Sequence, residues 1–149
     1  MELTMTGKTD TILEAGKANQ GSSRKGLWAG RIMSGLMVLF LLFDSAGKLL
    51  RLQPVVEGTA KLGFPTGVIV PLGVVLLACV VLYLIPRTAI LGAVLLTGYL
   101  GGAVATHVRA ADPLFSHVLF PLYVGALIWG GLYLRDNRVR ALIGPRRRA

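Results

Sequence analysis

The stretch VIVPLGVVLLACVVLYLIPRTAILGAVLLTGYLGGAVATHV, residues 68–108, decides the fold. Residues 68–85 contain no charged side chain, and the only ionisable groups of residues 88–108 are Tyr99 and His107. Because an α-helix rises about 1.5 Å per residue, about 20 apolar residues cross the roughly 30 Å hydrocarbon core of a bilayer. Only two residues separate the two parts. The stretch therefore predicts two antiparallel membrane helices joined by a tight turn.

Two further segments are long and apolar enough to cross a membrane. Residues 27–50 carry only Arg31, Asp44 and Lys48 as charged side chains, and residues 114–134 carry none. Hydrophobic residues make up 54% of the chain and charged residues 15%, against about 25% charged in soluble domains. We expect the first segment to be retained, because an aspartate follows it where a signal peptide needs a small residue. The sequence thus predicts an all-α, four-transmembrane-helix antiparallel bundle over residues 27–135.

The loop between the first two spans predicts a short amphipathic helix on the extracytoplasmic surface. Pro54 is a helix starter and Gly63 a helix stop, and Val55, Thr59 and Leu62 recur between them at helical spacing. Residues 1–26 are polar and lack a strong pattern, which predicts a flexible cytoplasmic tail. Residues 136–149 are predicted to be a basic cytoplasmic tail that binds anionic lipid.

The basic residues predict the orientation. The net charge is +9, yet most Lys and Arg residues flank the spans, which argues for membrane insertion and against nucleic-acid binding. With both termini in the cytoplasm, only Lys48, Arg51, Lys61 and Arg109 lie outside, and the other twelve of the sixteen lie inside. Aromatic residues near the predicted inner ends are expected to anchor the spans at the headgroups: Trp28, Tyr83, Trp129 and Tyr133.

Charged residues inside the first span indicate a polar site. Asp44 lies 13 residues beyond Arg31, about 20 Å along a helix, and Lys48 follows one turn later on the same face. A charge at mid-span costs about 2.5–3.5 kcal/mol, so we expect Asp44 to face the bundle interior. The pair is either a structural salt bridge or part of a functional site.

Antiparallel threading brings further polar residues to the same end. The ligand-binding or proton-handling candidates are Asp44, Lys48, His107, Arg109, Asp112 and His117. The histidines have an alternative role as interfacial residues bonded to loop carbonyls. Their spacing with Asp112 matches no standard ligand motif, so no metal site is predicted. Pro121 lies one turn after His117 and is expected to kink the fourth span.

Glycines of the third and fourth spans are predicted to pack helices. Gly98 and Gly102 form a G-x-x-x-G pattern, which lets helix backbones approach closely in lipid. The predicted packing residues are Gly98, Gly101, Gly102, Gly125, Gly130 and Gly131. The packing partner is a helix of the same chain or of a second copy in a homo-oligomer.

Three stretches resemble the DoxX-like family of small bacterial membrane proteins: LLFDSAGKLLRLQPVVEGTAKLGFP (41–65), YLIPRTAILGAVLLTGYLGGAVATHVRAADPLF (83–115) and LFPLYVGALIWGGLYLRDNRVRALIG (119–144). The resemblance spans about residues 28–145. It implies a four-helix, multi-pass protein of the bacterial cytoplasmic membrane. The wider group includes subunits linked to thiosulfate:quinone oxidoreduction, methylamine utilisation and membrane thiol redox complexes. Cys79 is the single cysteine, so a direct thiol–disulfide role is not expected.

Two functions follow as hypotheses. The first is a component of a membrane redox system, with a redox partner protein, that binds a quinone or similar small amphipathic molecule in a polar cavity in the outer half of the bundle. The second is a small oligomeric proton-coupled transporter or permease, and a non-catalytic membrane scaffold is a further alternative. No catalytic triad, haem ligation pattern or nucleotide loop is present in the sequence, which does not decide whether the chain is an enzyme.

Overall fold

The computed structural model describes residues 3–143, with side chains from 24 to 141, and it is helical along most of this length. No strand occurs between residues 3 and 143. The helices are α1 (Leu3–Leu49), α2 (Gln53–Lys61), α3 (Ile69–Leu84), α4 (Ala89–Arg109), α5 (Phe120–Arg135) and α6 (Asn137–Ile143). A 3-10 turn at Thr66–Val68 leads into α3, and a π-helical turn at Leu114–Val118 leads into α5.

Four segments have the length and composition of membrane spans: Arg24–Leu49, Thr66–Leu84, Ala89–Arg109 and Leu114–Arg135. Their outward faces are strongly apolar, and Leu39 and Phe43 are 67% and 74% exposed. A soluble monomer rarely exposes so large a contiguous apolar surface, whereas a bilayer covers it. The predicted all-α four-span bundle is confirmed. The side of the membrane on which α2 lies stays a prediction.

The four spans form a closed ring around one core. α1 packs against α3 and α5, and α4 packs against the same two helices, so α1 and α4 stand at opposite corners. The centre is filled by fully buried aliphatic side chains, among them Leu76, Val80, Ala93, Leu96 and Ile128. Tight packing at this centre is what holds the helices together, since lipid is as apolar as the core itself.

Two close helix contacts within the chain use Gly92 and Gly73, which the sequence analysis did not select, and a third uses Gly131, which it did. A Cβ at Gly92 would lie 2.3 Å from the backbone nitrogen of Tyr83, and one at Gly131 would lie 2.5 Å from the Ser34 hydroxyl. A Cβ at Gly73 would lie 2.9 Å from the Cβ of Lys48. These positions let α3 approach α4 and α1, and α5 approach α1, at backbone distance.

Tyr83 does not act as an interfacial anchor, contrary to prediction. Its side chain is 1% exposed, its hydroxyl donates to the Ile128 carbonyl at 3.0 Å, and it shares a 3.0 Å hydrogen bond with the Ser34 hydroxyl. The Arg135 guanidinium lies 4.7 Å from the ring centroid. Tyr83 therefore joins α1, α3 and α5. The Tyr83 hydroxyl forms its hydrogen bonds with these helices, so the side chain can be buried in the bundle rather than placed among the lipid headgroups.

The two ends of the chain are more helical than composition suggests. α1 runs without a break from Leu3 to Leu49. This segment contains no proline, the residue that would interrupt the backbone hydrogen-bond ladder. α6 lies within the predicted basic tail and buries Val139 against the bundle. Residues 144–149 of that tail, with its last three arginines, lie outside the described residues. The flexibility, location and lipid binding of both tails stay predictions.

Candidate functional site

A cavity of about 750 Å³ lies between the opposite corners α1 and α4, at the end of the bundle that carries α2 and the α4–α5 loop. We call it the polar cavity. Apolar side chains make up most of its wall, and ionisable groups from α1, α4 and the loop after α4 line it as well. Phe40 of α1 and Phe120 of α5 meet edge to face, with ring centroids 5.6 Å apart, on its α5 side. The diagonal between α1 and α4 is left open because the core packing joins each of them to α3 and α5 instead.

One wall of the polar cavity carries the ion pair of α1. The ammonium of Lys48 donates to both carboxylate oxygens of Asp44 at 2.5 Å, and the side chains are 14% and 33% exposed. α1 is held in this rotation because the Ser45 hydroxyl, fully buried, donates to the Gly73 carbonyl at 2.9 Å. The pair therefore faces the cavity rather than the acyl chains.

The opposite wall ends in a backbone reversal that brings Asp112 onto His107. Ala111 has φ +55°, the Asp112 N–H donates to the His107 carbonyl at 3.1 Å, and the Ala111 N–H donates to the Val108 carbonyl at 3.1 Å. These two bonds form a Schellman motif at the end of α4. The reversal folds the Asp112 side chain back, and its Oδ2 lies 2.6 Å from Nδ1 of His107. The two residues form a hydrogen-bonded dyad on the cavity wall.

His117 reaches the cavity from the π-helical turn. Its ring centroid lies 5.8 Å from that of His107, and its Nδ1 is 2.8 Å from the Ser116 hydroxyl. Pro121 has no N–H to offer the His117 carbonyl, so the α-helix does not extend back through this turn, and α5 begins only at Phe120. The fourth span thus consists of a π-helical turn followed by α5.

Arg109 is placed differently from the other candidates. It does not line the polar cavity; its Nη2 donates to the Leu62 carbonyl at 2.9 Å, and its guanidinium lies 5.8 Å from the Phe64 ring centroid. Gly63, with φ +81°, turns the chain between these two residues. Arg109 therefore ties the end of α4 to the segment after α2, which covers the cavity.

The set of candidates predicted from the sequence omits four polar residues of the cavity wall: Thr59, Lys61, Tyr99 and Thr106. Tyr99 and Thr106 share one face of α4 with Gly102, because they follow each other at steps of three and four residues. That spacing could have indicated a polar face of α4 from the sequence alone. The signal is weak, because most residues of the span are apolar.

The predicted packing glycines other than Gly131 lie in three places. Gly98 and Gly102 line the polar cavity, and Gly101 and Gly125 line a smaller apolar groove of about 240 Å³ between α4 and α5. A Cβ added at Gly98, Gly101 or Gly102 would meet no atom within 4 Å. Gly130 lies against the Met33 side chain. Helices of the same chain thus leave Gly98, Gly101 and Gly102 uncovered, and packing against a second copy stays a prediction.

Metal-ligating side chains do not cluster in the described part of the chain. Between residues 24 and 141, no group of three or more His, Cys, Asp and Glu side chains lies close enough to hold a metal ion. Cys79 is buried in α3.

The fold and the cavity define a class: a multi-pass integral membrane protein built as a four-span bundle with a polar site at one end. The model of the DoxX-like family matches residues 32–131, more than half of the chain. The chain belongs to the DoxX-like family, as its resemblance implied. No curated protein and no solved structure matches it.

Proposed function

We propose that this protein binds a quinone, or a similar small amphipathic molecule, in the polar cavity, as a membrane component of a redox system. The observation that supports this proposal is a cavity whose wall is largely apolar and whose charged and imidazole groups come from α1, α2, the end of α4 and the segment that follows it. Known ligand sites have volumes of about 300–1,000 Å³ and combine apolar walls with a few placed polar groups. The cavity volume falls within that range.

The chemistry of a quinone suits both parts of the cavity. Its ring is flat and apolar on its faces, which matches walls that include Phe40, Tyr99 and Phe120. Its two oxygens accept hydrogen bonds, for which the Lys48 ammonium supplies N–H donors. In the reduced form the same oxygens carry hydroxyls, which can donate to a ring nitrogen of His107. The apolar tail of the ligand would leave between the spans toward lipid.

The redox role assigns electrons and protons to different proteins. Reduction of a quinone consumes two electrons and two protons, and the reverse reaction releases them. In our proposal a redox partner protein exchanges the electrons, while Asp44, His107 and His117 exchange protons with the bound ring. We place the protein in the bacterial cytoplasmic membrane with both termini in the cytoplasm, because that orientation puts most basic residues inside.

A substitution that fills the cavity tests the proposal. Gly102→Leu places a side chain in the polar cavity without a backbone clash, whereas Gly101→Leu faces the groove between α4 and α5. In lipid nanodiscs, decylubiquinone is expected to raise the melting temperature of the unsubstituted protein and of Gly101→Leu, and to leave Gly102→Leu unchanged. Titration calorimetry on the same three samples measures the affinity.

Two results would count against the proposal. One is an unchanged melting temperature of the unsubstituted protein at saturating decylubiquinone, together with no heat of binding. The other is equal affinity in Gly102→Leu and the unsubstituted protein, which would place the ligand elsewhere on the bundle.

A further inference from the structure

The hydrogen bond between His107 and Asp112 determines which nitrogen of the imidazole carries the proton. An ionised carboxylate can only accept, so Nδ1 of His107 must donate to Asp112 Oδ2 across their 2.6 Å separation. In the neutral ring the proton therefore resides on Nδ1, and Nε2 keeps its lone pair. The His107 ring lines the polar cavity and makes no other hydrogen bond within residues 24–141. Nε2 is thus the atom that the ring offers to a ligand, as an acceptor.

Asp44 and His117 differ from His107 as hydrogen-bond acceptors for a ligand. Asp44 has both carboxylate oxygens bonded to Lys48, so its acceptor capacity is already shared with a cation. His117 has its Nδ1 within 2.8 Å of a hydroxyl that can rotate to donate or accept, so its tautomer is not set by this contact. His107 is the imidazole whose hydrogen-bonding role the structure defines.

We propose that His107, positioned by Asp112, accepts a hydrogen bond from a ligand hydroxyl, so that the polar cavity prefers a hydroquinone or phenol over the corresponding quinone. This inference rests on the proposed function and adds the redox form of the ligand. A hydroquinone has an O–H to donate to Nε2. A quinone presents only acceptor oxygens there, and two acceptors facing each other in a cavity of low polarity are unfavourable.

Ionisable groups from five elements around the cavity face the same space: Asp44 and Lys48 of α1, Lys61 of α2, Tyr99 of α4, Asp112 of the α4–α5 loop and His117 of the π-helical turn. Asp112→Asn keeps all of them except the carboxylate on His107, so it isolates the effect of that carboxylate.

The first measurement needs neither a ligand nor a variant. Nitrogen-15 chemical shifts of histidine-labelled protein in nanodiscs, at a pH where the rings are neutral, distinguish a protonated from an unprotonated ring nitrogen. His117→Gln assigns the two residues. We expect His107 to show a protonated Nδ1 and an unprotonated Nε2. In Asp112→Asn the amide can donate to Nδ1, so the Nε2–H tautomer should become populated.

The second measurement compares two ligands that differ in redox state alone. Titration calorimetry with durohydroquinone under anaerobic, reducing conditions and with duroquinone gives a ratio of affinities. We expect the hydroquinone to bind about fivefold more tightly, which corresponds to one hydrogen bond of about 1 kcal/mol. Asp112→Asn should bring the ratio to about one or below, while Asp136→Asn, a carboxylate at the start of α6, should keep it.

The outcomes separate this inference from the proposed function. If both ligands bind in the cavity but the quinone binds as tightly as the hydroquinone, the hydroxyl preference is overturned and quinone binding stands. A protonated Nε2 on His107 in the unsubstituted protein also overturns it, even if Asp112→Asn fails to fold. If neither ligand binds, both the proposed function and this inference fail.

Discussion

At the scale of single residues, the decisive question is why a membrane span tolerates Asp44 and Lys48. The two side chains neutralise each other at 2.5 Å, and the Lys48 stem packs beside Gly73, where no side chain stands in its way. Both face a cavity instead of lipid, so neither charge enters the hydrocarbon alone. The pair is thus compatible with the membrane through its partner and its orientation together.

The first prediction concerns the loss of one partner. Asp44→Asn leaves the Lys48 ammonium, which is 14% exposed, without its counter-charge, and should lower the free energy of unfolding by about 1–3 kcal/mol. Asp44→Asn/Lys48→Met removes both charges and should recover most of that loss. Equilibrium unfolding in mixed micelles measures the difference, and Asp136→Asn serves as a control outside the cavity. A single variant as stable as the unsubstituted protein would show that the pair has no structural role.

At the scale of elements, the ends of helices build the site and glycines set the distances between helices. The Schellman motif after α4 places Asp112 on His107, although its left-handed position is occupied by Ala111 instead of glycine. A non-glycine residue there costs about 1 kcal/mol, which the surrounding contacts must offset. Gly92 shows the complementary case, in which the absence of a side chain lets α4 touch the backbone of α3.

The second prediction compares two glycines of α4. Gly92→Ala introduces a Cβ 2.3 Å from the Tyr83 backbone nitrogen, so α3 and α4 must move apart, and we expect a loss of about 1–3 kcal/mol in the free energy of unfolding. Gly101→Ala meets nothing within 4 Å and should gain up to about 1 kcal/mol from helix propensity. Unfolding of both variants in the same detergent decides the matter. Equal stability would contradict the close approach of the two helices.

At the scale of the whole molecule, the ring of four spans separates two different ends. One end carries the polar cavity, α2 and the Arg109 contact with Leu62. The other carries the turn at Arg87, the buried Tyr83 network and α6, with several exposed arginines. The basic residues predict that this second end faces the cytoplasm.

The third prediction tests that orientation. In a Cys79→Ala background, Lys61→Cys should react with a membrane-impermeant maleimide in intact cells, whereas Arg87→Cys and Arg138→Cys should react only after the membrane is opened. All three positions are exposed, so failure to react in intact cells reports the side of the membrane. Labelling of Arg87→Cys in intact cells would show that the orientation is the reverse of the predicted one. It would also move the cavity to the cytoplasmic side.

Much of the fold and part of the site could be predicted from local pattern. The four spans, the short helix after Pro54 and the orientation of Asp44 toward the interior follow from apolar length, helix signals and the cost of an isolated charge. The dyad of His107 and Asp112 could not be predicted as a contact, because the reversal between them lacks the glycine that usually marks it. The helix that each glycine contacts could not be predicted either, since a small residue indicates close packing but not which helix packs against it.

The sequence by itself determined the number, approximate length and antiparallel order of the membrane spans. Hydropathy and helix signals are properties of neighbouring residues, and a chain inside a bilayer must satisfy its own backbone. Only the tertiary structure decided that α1 and α4 take opposite corners and leave a polar cavity between them. That choice depends on how side chains from distant parts of the chain fit together, above all Gly92 beneath Tyr83 and Gly131 beside Ser34. This fit depends on two helix surfaces together, so it cannot be read from the sequence of either span alone.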